Sequence, residues 1–432
     1  MLKDKKTALQ GVRGAKDITP EDAPFHRMVE DAALDVFSLY GFQEIKTPIF
    51  EKTEVFSRGI GETSDIVEKE MYTFSDRGGE SLTLRPEGTA AVVRAYIEHK
   101  LYEPPGVTRL FYTGPMFRAE RPQAGRFRQF HQVGAEIFGA SGPDADAEII
   151  AALMDFFTEL GVTDLKVVLN SLGCADCRPA YREALLAYLR SHAHLLCENC
   201  VARLERNPLR VLDCKSERCR AVAADAPMID KHRCDPCQAH LEGVRRPLRK
   251  MELPVVLDPR LVRGLDYYSR TAFEVTSNNL GAQNAVAGGG RYDSLVEQFG
   301  GPPTPAIGFA VGVERLITLL GEEARAQAQE IYGMRPDLYL IAMSEGAEET
   351  VFELAHRLRG EKYVVDRGFG FGSLKNQLKR ADRSGAALAV IVGDDEVAKG
   401  EVTIKTLSSG EQKKVSLTEI HSAIEDALEE SY

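Results

Sequence analysis

Apolar residues first recur at helical spacing over about Pro24 to Leu39, where Val29, Ala32, Ala33 and Val36 share one side. Gly41 stops that helix, and Phe42 to Ile49 reads as a strand broken by Pro48. The segment Thr83-Leu84-Arg85-Pro86-Glu87-Gly88-Thr89 follows a strand and opens a helix near Thr89. Over 111–138 two strands are joined by a polar loop holding Pro122 and Gly125, which predicts a hairpin. A helix near Asp146–Leu160 and a strand at Leu165–Asn170 follow. Further strands are predicted near Pro254–Leu257, Ala272–Thr276 and Asn284–Gly288. Residues 304–320 read as a strand that turns into a helix at Gly312.

Two stretches break this pattern. All eight cysteines lie between Cys174 and Cys237, where strand signal is weak and Arg and Asp are frequent. This predicts a Cys-rich, helical subdomain at 174–253, inserted in a first domain spanning 1–325. Residues 322–335 are polar without a period of two and are expected to be a linker. From Pro336 the pattern alternates again, with strands at Leu338–Met343, Tyr363–Asp366, Ala387–Val392 and Val402–Thr406. Helices at Glu348–Leu358, Leu374–Ala381 and Leu417–Leu428 separate or follow them. Such alternation predicts an α/β domain at 336–432 with a mainly parallel sheet.

The hairpin carries candidate chemistry. Strand side chains alternate between faces, so Phe130, Gln132, Gly134 and Glu136 share one face, and Arg118 closes the first strand. Burying Arg, Gln and Glu unpaired in a folding core is costly. A site for a charged, planar ligand needs all of them. The alternative is a solvated sheet face. His131 falls on the other face and reads as structural.

Composition narrows the setting. Hydrophobic residues make up 44% and charged residues 28%, with a net charge of −11. That balance argues against nonspecific nucleic-acid binding through the whole surface and leaves room for a local basic groove. Arg245, Arg246, Arg249 and Lys250 form one basic cluster. Lys375, Lys379 and Arg383 form a helical stripe at i, i+4 and i+8, with a solvated face as the other reading. No apolar run reaches the length of a membrane span. Met1 to Lys6 lacks the apolar core of a signal peptide, so a cytoplasmic location is expected.

Four more motifs join the hairpin: 84–89, Arg263-Gly264-Leu265-Asp266-Tyr267-Tyr268, Ala287-Gly288-Gly289-Gly290-Arg291-Tyr292-Asp293, and Ala306 to Leu316. Together they resemble the class II aminoacyl-tRNA synthetases, and among these the bacterial histidyl-tRNA synthetase family. Residues 42–48, 111–138 and 304–320 resemble the three class motifs; the Tyr pair and the triple glycine resemble the two histidine-specific ones. The resemblance covers essentially the whole chain. It implies an α+β catalytic domain built on an antiparallel sheet, with the inserted Cys-rich subdomain and a C-terminal α/β anticodon-binding domain.

It also implies ATP-dependent attachment of L-histidine to tRNA(His) through a histidyl-adenylate, with ATP, Mg²⁺ and tRNA(His) as partners and a homodimer formed through residues 24–49. Arg118 and Arg263 resemble the catalytic arginines on two sides of the α-phosphate. An ion pair with Asp266 is the alternative for Arg263. Arg guanidinium suits the role because its fork binds phosphate oxygens in pairs and keeps its proton. Phe130 and Arg315 would sandwich adenine, and Arg126 would assist the outer phosphates. Glu87, with Gly88, Thr89 and Gln132, would take the histidine ammonium; Glu136 and Tyr268 would take the two imidazole nitrogens, in a pocket lined by Tyr267 and Tyr292. Lys375, Lys379 and Arg383 would contact tRNA phosphates.

The cysteines depart from what the family requires. Cys174/Cys177, Cys197/Cys200, Cys214/Cys219 and Cys234/Cys237 make four close pairs. In a reducing compartment disulfides are not expected. Thiolate pairs gathered in fours suit tetrahedral Zn²⁺, one or two structural sites, and the spacing does not match a ferredoxin run. Unmetallated thiols are the other reading.

Two further functions compete. Synthetase-like regulatory subunits lack the C-terminal domain and the ATP-contacting arginines, both of which this sequence keeps. Threonine or proline synthetases share Leu84-Arg85-Pro86, but Tyr267-Tyr268 and Gly288–Tyr292 argue against them.

Overall fold

The computed structural model describes residues 9–61, 66–123, 125–263, 267–281, 284–370 and 372–430. Two units meet between Tyr332 and Gly333. In the first, helix α1 (Ala23–Leu39) precedes strands β1 (Gln43–Glu44) and β2 (Phe50–Lys52), helix α2 (Thr53–Ile60), strands β3 (Tyr72–Ser75) and β4 (Ser81–Leu84), and helix α3 (Thr89–Glu98). The hairpin strands β5 (Thr108–Phe117) and β6 (Gln129–Phe138), helix α4 (Pro143–Glu159) and strand β7 (Leu165–Ser171) come next. The Cys-rich segment is helical, as expected: α5 (Arg178–Ser191), α6 (Glu198–Arg203), α7 (Glu217–Ala224) and α8 (Asp235–Lys250). Strands β8 (Val255–Leu257), β9 (Ser269–Ser277) and β10 (Ala285–Arg291), helix α9 (Leu295–Gln298), strand β11 (Ala306–Gly312) and helices α10 (Val313–Leu319) and α11 (Glu322–Tyr332) complete this unit.

Eight strands form one sheet in the order β1-β5-β6-β11-β10-β9-β7-β8. Only its two end pairings are parallel; the inner ones are antiparallel. One face is apolar. Val133, Ala135 and Ile137 of β6, Ile307, Phe309 and Val311 of β11, and Phe273 and Val275 of β9 are buried there with residues of α1 and α4. The Phe37 ring lies 5.4 Å from Phe156, 5.7 Å from Phe111 and 5.8 Å from Phe309, centroid to centroid. Burial of each such ring stabilises the unit by about 2–3 kcal/mol. That face anchors the sheet and leaves the other free for chemistry.

A buried charge cluster fixes the helices to the sheet. Asp146, in the first turn of α4, accepts a hydrogen bond from Thr271 on β9 and pairs with Arg291 at the end of β10. Nε2 of His240 on α8 lies 2.8 Å from the same carboxylate. Arg291 has no exposure and also donates to the carbonyls of Ala140 at 2.9 Å and Gly142 at 3.1 Å, and to Asp293 at 3.0 Å. Burial alone would push the Asp146 carboxyl up; His240 and Arg291 hold it below its ordinary value.

Three expectations need correction. Residues 322–332 are not a linker: Ala324, Ala328 and Tyr332, four residues apart along α11, pack onto the core that includes α1. So thin an apolar edge left the segment looking structureless in sequence. Residues 42–49 give only the two-residue β1, because Pro48 cannot donate to a ladder. The second unit, finally, is not mainly parallel. It runs β12 (Leu338–Ala342), α12 (Glu345–Gly360), β13 (Val365–Arg367), α13 (Leu374–Ser384), β14 (Leu388–Val392), α14 (Asp394–Lys399), β15 (Glu401–Thr406), β16 (Gln412–Ser416) and α15 (Ile420–Glu429).

Its sheet order is β13-β12-β14-β15-β16, parallel in its first two pairings and antiparallel in the last two. The connection through α14 is too short for the crossover that a parallel neighbour needs. Strand β16 escaped notice because Val415 is its one buried residue.

Removing the Asp146 carboxylate leaves Arg291 short of its main counter-charge. Asp146→Ala is expected to destabilise the first unit by about 3–5 kcal/mol, read as a lowered denaturant midpoint. A loss below about 1 kcal/mol would show that the cluster is not fully desolvated.

Candidate active site

The polar face of the sheet is floored by residues with little or no side chain. Across the sheet, Tyr112, Gly134, Ala310, Gly288 and Glu274 lie in one row. The next row is Leu110, Glu136, Gly308, Gly290 and Ala272. Opposite residues in a ladder share a face, so the two rows form a trough over β6, β11 and β10. A Cβ at Gly308 would stand 1.5 Å from Oε2 of Glu136, and one at Gly288 2.3 Å from the Arg263 guanidinium. Both positions therefore require glycine for space. A cavity of about 230 Å³ occupies the trough.

Cations gather at one end. Arg118, Arg126 and Arg315 line the cavity with Phe130, and with the carboxylates of Glu120 and Glu314. Nε of Arg118 donates to the Pro86 carbonyl at 2.9 Å, and its guanidinium lies 5.1 Å from the Phe130 ring centroid. Arg126 pairs with Glu120 at 2.8 Å. Arg315, at the start of α10, donates to the carbonyls of Gly125 at 3.2 Å and Ala285 at 2.8 Å. Burial, and then the nearness of Arg126, pulls the Arg315 guanidinium down. Crowding guanidinium groups this way is stabilised by a bound polyanion. Glu314 accepts from the backbone N–H of His131 at 2.8 Å and lies 2.9 Å from its Nδ1, while His131 itself does not line the cavity.

Carboxylates and phenols gather at the other end. Glu87 accepts from the Thr89 and Ala90 N–H groups, at 2.9 and 2.8 Å, and so caps α3. Thr89, Gln132, Tyr267 and Tyr268 line the cavity beside it, and Gln132 Oε1 has no partner among the described residues. Glu136 lies beneath the wall, accepting from Thr89 Oγ1 at 2.7 Å and from Tyr292 at 2.5 Å. The Tyr268 ring packs over Gly290, in the Glu136 row. Burial pushes the Glu136 carboxyl up to about 8, despite the hydrogen bonds from Tyr292 and Thr89. Burial also raises Glu87, against the pull of Ala90, Thr89 and Arg118. Arg263 stands between the two ends, paired with Glu274.

Comparison with known proteins now decides the family. The histidyl-tRNA synthetase family matches residues 14–316, and an anticodon-binding domain family matches 337–427. The chain belongs to the histidyl-tRNA synthetase family. A histidine--tRNA ligase of Halothermothrix orenii is 49% identical, covering 94% of this chain and 97% of its own. One from Geobacter metallireducens is 48% identical over 95% and 97%. The apo histidyl-tRNA synthetase of S. aureus superposes with a TM-score of 0.77 at 35% identity, covering 98% of this chain and all of its own. The class II fold expected from the motifs is therefore correct.

The structure brings Arg118, Arg126, Phe130, Arg263 and Arg315 to the same cavity as Glu87, Thr89, Gln132, Tyr267 and Tyr268. Gly88 lies behind Thr89 against the Tyr112 ring. Gly264, Leu265 and Asp266 lie outside the described residues; the Arg263 partner that is described is Glu274. Sequence reasoning gave no role to Glu274, Glu120, Glu314 or Tyr112. The strand register alone could have found Glu274, since it faces Gly288 across β9 and β10. Arg291, inside a histidine-specific motif, turns out to be structural. None of the eight cysteines lines the cavity. They gather instead in two tetrads, Cys174/Cys177/Cys234/Cys237 and Cys197/Cys200/Cys214/Cys219.

A pH effect follows from Glu136. With its folded value near 8 and its ordinary value at 4.5, the native chain keeps a proton between those pH values that the unfolded chain loses. Stability from this group is whole below pH 4.5 and lost as pH rises through 8. Glu136→Gln removes that loss. The variant's stability relative to the parent, without ligands, is expected to rise between pH 5 and pH 8 by an amount on the order of a few kcal/mol at most. Thermal melts across that range check it; a pH-independent difference would show that Glu136 ionises normally.

Proposed function

We propose that this chain ligates histidine to tRNA(His) in two steps at the trough. The observation that carries this reading is one floor with two ends: guanidinium groups and an aromatic plate at one, carboxylates and phenols at the other. ATP fits the first end, with adenine between Phe130 and Arg315 and the outer phosphates toward Arg126. Histidine fits the second, its ammonium at Glu87 and Gln132 and its imidazole between Glu136 and Tyr268, beside Tyr267 and Tyr292. Its carboxylate then lies near the middle, where Arg118 and Arg263 approach from two sides.

In the first step a histidine carboxylate oxygen bonds to the α-phosphorus, and the bond to the bridging oxygen breaks, releasing diphosphate. Charge developing on the α-phosphate meets fixed guanidinium groups, which need no reorganisation. In the second step a terminal ribose hydroxyl of the tRNA bonds to the acyl carbon, its proton passes to the phosphate of the adenylate, and the bond from the acyl carbon to the phosphate oxygen breaks, releasing AMP. Neither step needs a protein nucleophile, which agrees with the lack of a Ser-His-Asp or Cys-His arrangement in the sequence. Mg²⁺ would come with ATP, and Glu120 and Glu314 are carboxylates suited to hold it at the phosphate end. It would neutralise phosphate charge.

Recognition of tRNA is assigned to the second unit. Lys375, Lys379 and Arg383 are exposed along α13, with no ion pair among the described residues. Exposed Phe352 and Phe369 flank the Arg367 guanidinium at 5.3 and 4.8 Å, a surface on which unstacked bases can lie. A homodimer through residues 24–49 is supported by exposed Leu34, Leu39 and Ile49. Among the described residues no helix is long and apolar enough to cross a membrane, and we assign the enzyme to the cytoplasm. The cysteine tetrads are assigned to structural Zn²⁺.

Exchange of labelled diphosphate into ATP should depend on histidine, and on no other amino acid. Arg118→Ala and Arg263→Ala should each lower its kcat by about 10²–10³-fold. An active chain without histidine dependence would sink the assignment. Alanine at Lys375, Lys379 and Arg383 together should weaken tRNA binding and flatten its salt dependence by about one unit of slope for each phosphate no longer neutralised. An unchanged slope would return that stripe to a solvated face.

A further inference from the structure

The two cysteine tetrads have the dimensions of metal sites. A tetrahedral centre with Zn–S bonds of about 2.3 Å separates its sulfurs by about 3.8 Å. Cys174 Sγ lies 3.8 Å from that of Cys177 and 3.7 Å from that of Cys234, and Cys177 lies 3.9 Å from Cys237. Cys197 lies 3.8 Å from Cys214, and within each tetrad all four sulfurs fall within 4.8 Å of one another. A disulfide would bring a pair to about 2.0 Å. Backbone N–H groups already point at the sulfurs: Cys174 toward Cys177 at 3.3 Å, Cys197 toward Cys219 at 3.1 Å. Such bonds favour thiolate.

The first tetrad closes the neck of the insertion. Cys174 and Cys177 lie where the chain leaves β7 and enters α5; Cys234 precedes the first residue of α8, where the insertion returns. Both arms connect to residues beside the pocket. Arg178, next to Cys177, donates to the Tyr268 carbonyl at 2.8 Å. Gly173, next to Cys174, accepts from the Arg270 N–H at 2.9 Å, and a Cβ there would meet Cys177 Sγ at 2.9 Å. On the α8 side, His240 bonds to Asp146, which holds Arg291, the neighbour of Tyr292. The second tetrad instead joins α6, the turn at Pro208–Val211 and α7 around the insertion's own core.

We infer that each tetrad holds one Zn²⁺, and that the neck ion positions Tyr268 and Tyr292 for histidine while the inner ion holds the insertion together. On binding, each thiol gives its proton to solvent and its sulfur lone pair to the metal. The positioning role rests on the trough being the histidine site; the two metal sites do not.

The test uses the full chain purified without chelator. Elemental analysis should find two zinc ions per chain, and chain loaded with Co²⁺ alone should show thiolate-to-cobalt charge-transfer absorption. Cys234→Ser with Cys237→Ser should lose one ion and raise KM for histidine in diphosphate exchange about tenfold, with KM for ATP and kcat changed less than about twofold. Cys197→Ser with Cys219→Ser should lose the other ion, increase protease cleavage within the insertion, and move the histidine KM by less than about twofold. Arg178→Met should keep both ions and still raise that KM, which keeps the positioning role testable where the neck variant fails to fold.

Zinc below one per chain, or iron in its place, would overturn the metal sites. An unchanged histidine KM in Arg178→Met, or an equal rise in both double variants, would overturn the positioning role. Two zinc ions in a chain without histidine-dependent exchange would support the sites while overturning both the ligase reading and the positioning role.

Discussion

The site depends on how little side chain stands on three central strands. Gly134, Ala310 and Gly288 in one row, and Gly308 and Gly290 in the next, leave the backbone itself as the floor. A flat ligand can then rest on the sheet at van der Waals distance, and long side chains can cross above it from the edges. Arg263 lies over Gly288, Tyr268 over Gly290, and Glu136 against Gly308. Any of these glycines given a Cβ would drive a guanidinium, a phenol or a carboxylate out of place. The same strands pack their opposite face into the main core, so the floor cannot shift to accommodate the change.

Rigidity of that floor costs buried charge. Asp146 and Arg291 have no exposure, and an ion pair so placed is expensive to desolvate. What it supplies is connectivity: α4, α8, β9 and β10 all converge on one carboxylate. Arg291 then sets Tyr292, whose hydroxyl donates to Glu136. A hydrophobic replacement could match the stability but could not link four elements to one pocket atom. The insertion joins the same scheme, since His240 comes from its last helix and Arg178 from its first.

Much of this was legible in sequence, and the reasons differ by residue. The alternation in the hairpin placed Phe130, Gln132 and Glu136 on one face because strand periodicity is two, and nothing tertiary overrode it. The glycines of 288–290 were visible as a motif, yet their purpose needed the register that sets Gly288 against Arg263. Glu274 was silent because its strand reads as an ordinary half-buried one. Residues 322–332 misled because three small contacts spaced by four residues do not look amphipathic amid charged neighbours. The antiparallel pairing of β14 with β15 was hidden by a connection whose length, rather than its residues, decides direction.

The ionisation of Glu136 bears on selectivity. Histidine imidazole titrates near 6.5 in water, and the carboxyl proposed to receive it stands at about 8. Between those values the empty pocket holds a neutral acid and free histidine is mostly a neutral imidazole. Each brings one proton to a contact that needs only one between them, so the pair forms without a net change in charge. A cationic side chain such as lysine would have to ionise Glu136 inside a desolvated floor already close to Glu87, which repels a second negative charge. An apolar side chain would offer no hydrogen bond to Glu136 or Tyr268. On that proposal, burial of one carboxylate discriminates in both directions, because Glu136 fills the space that Gly308 leaves and has no exposure to solvent.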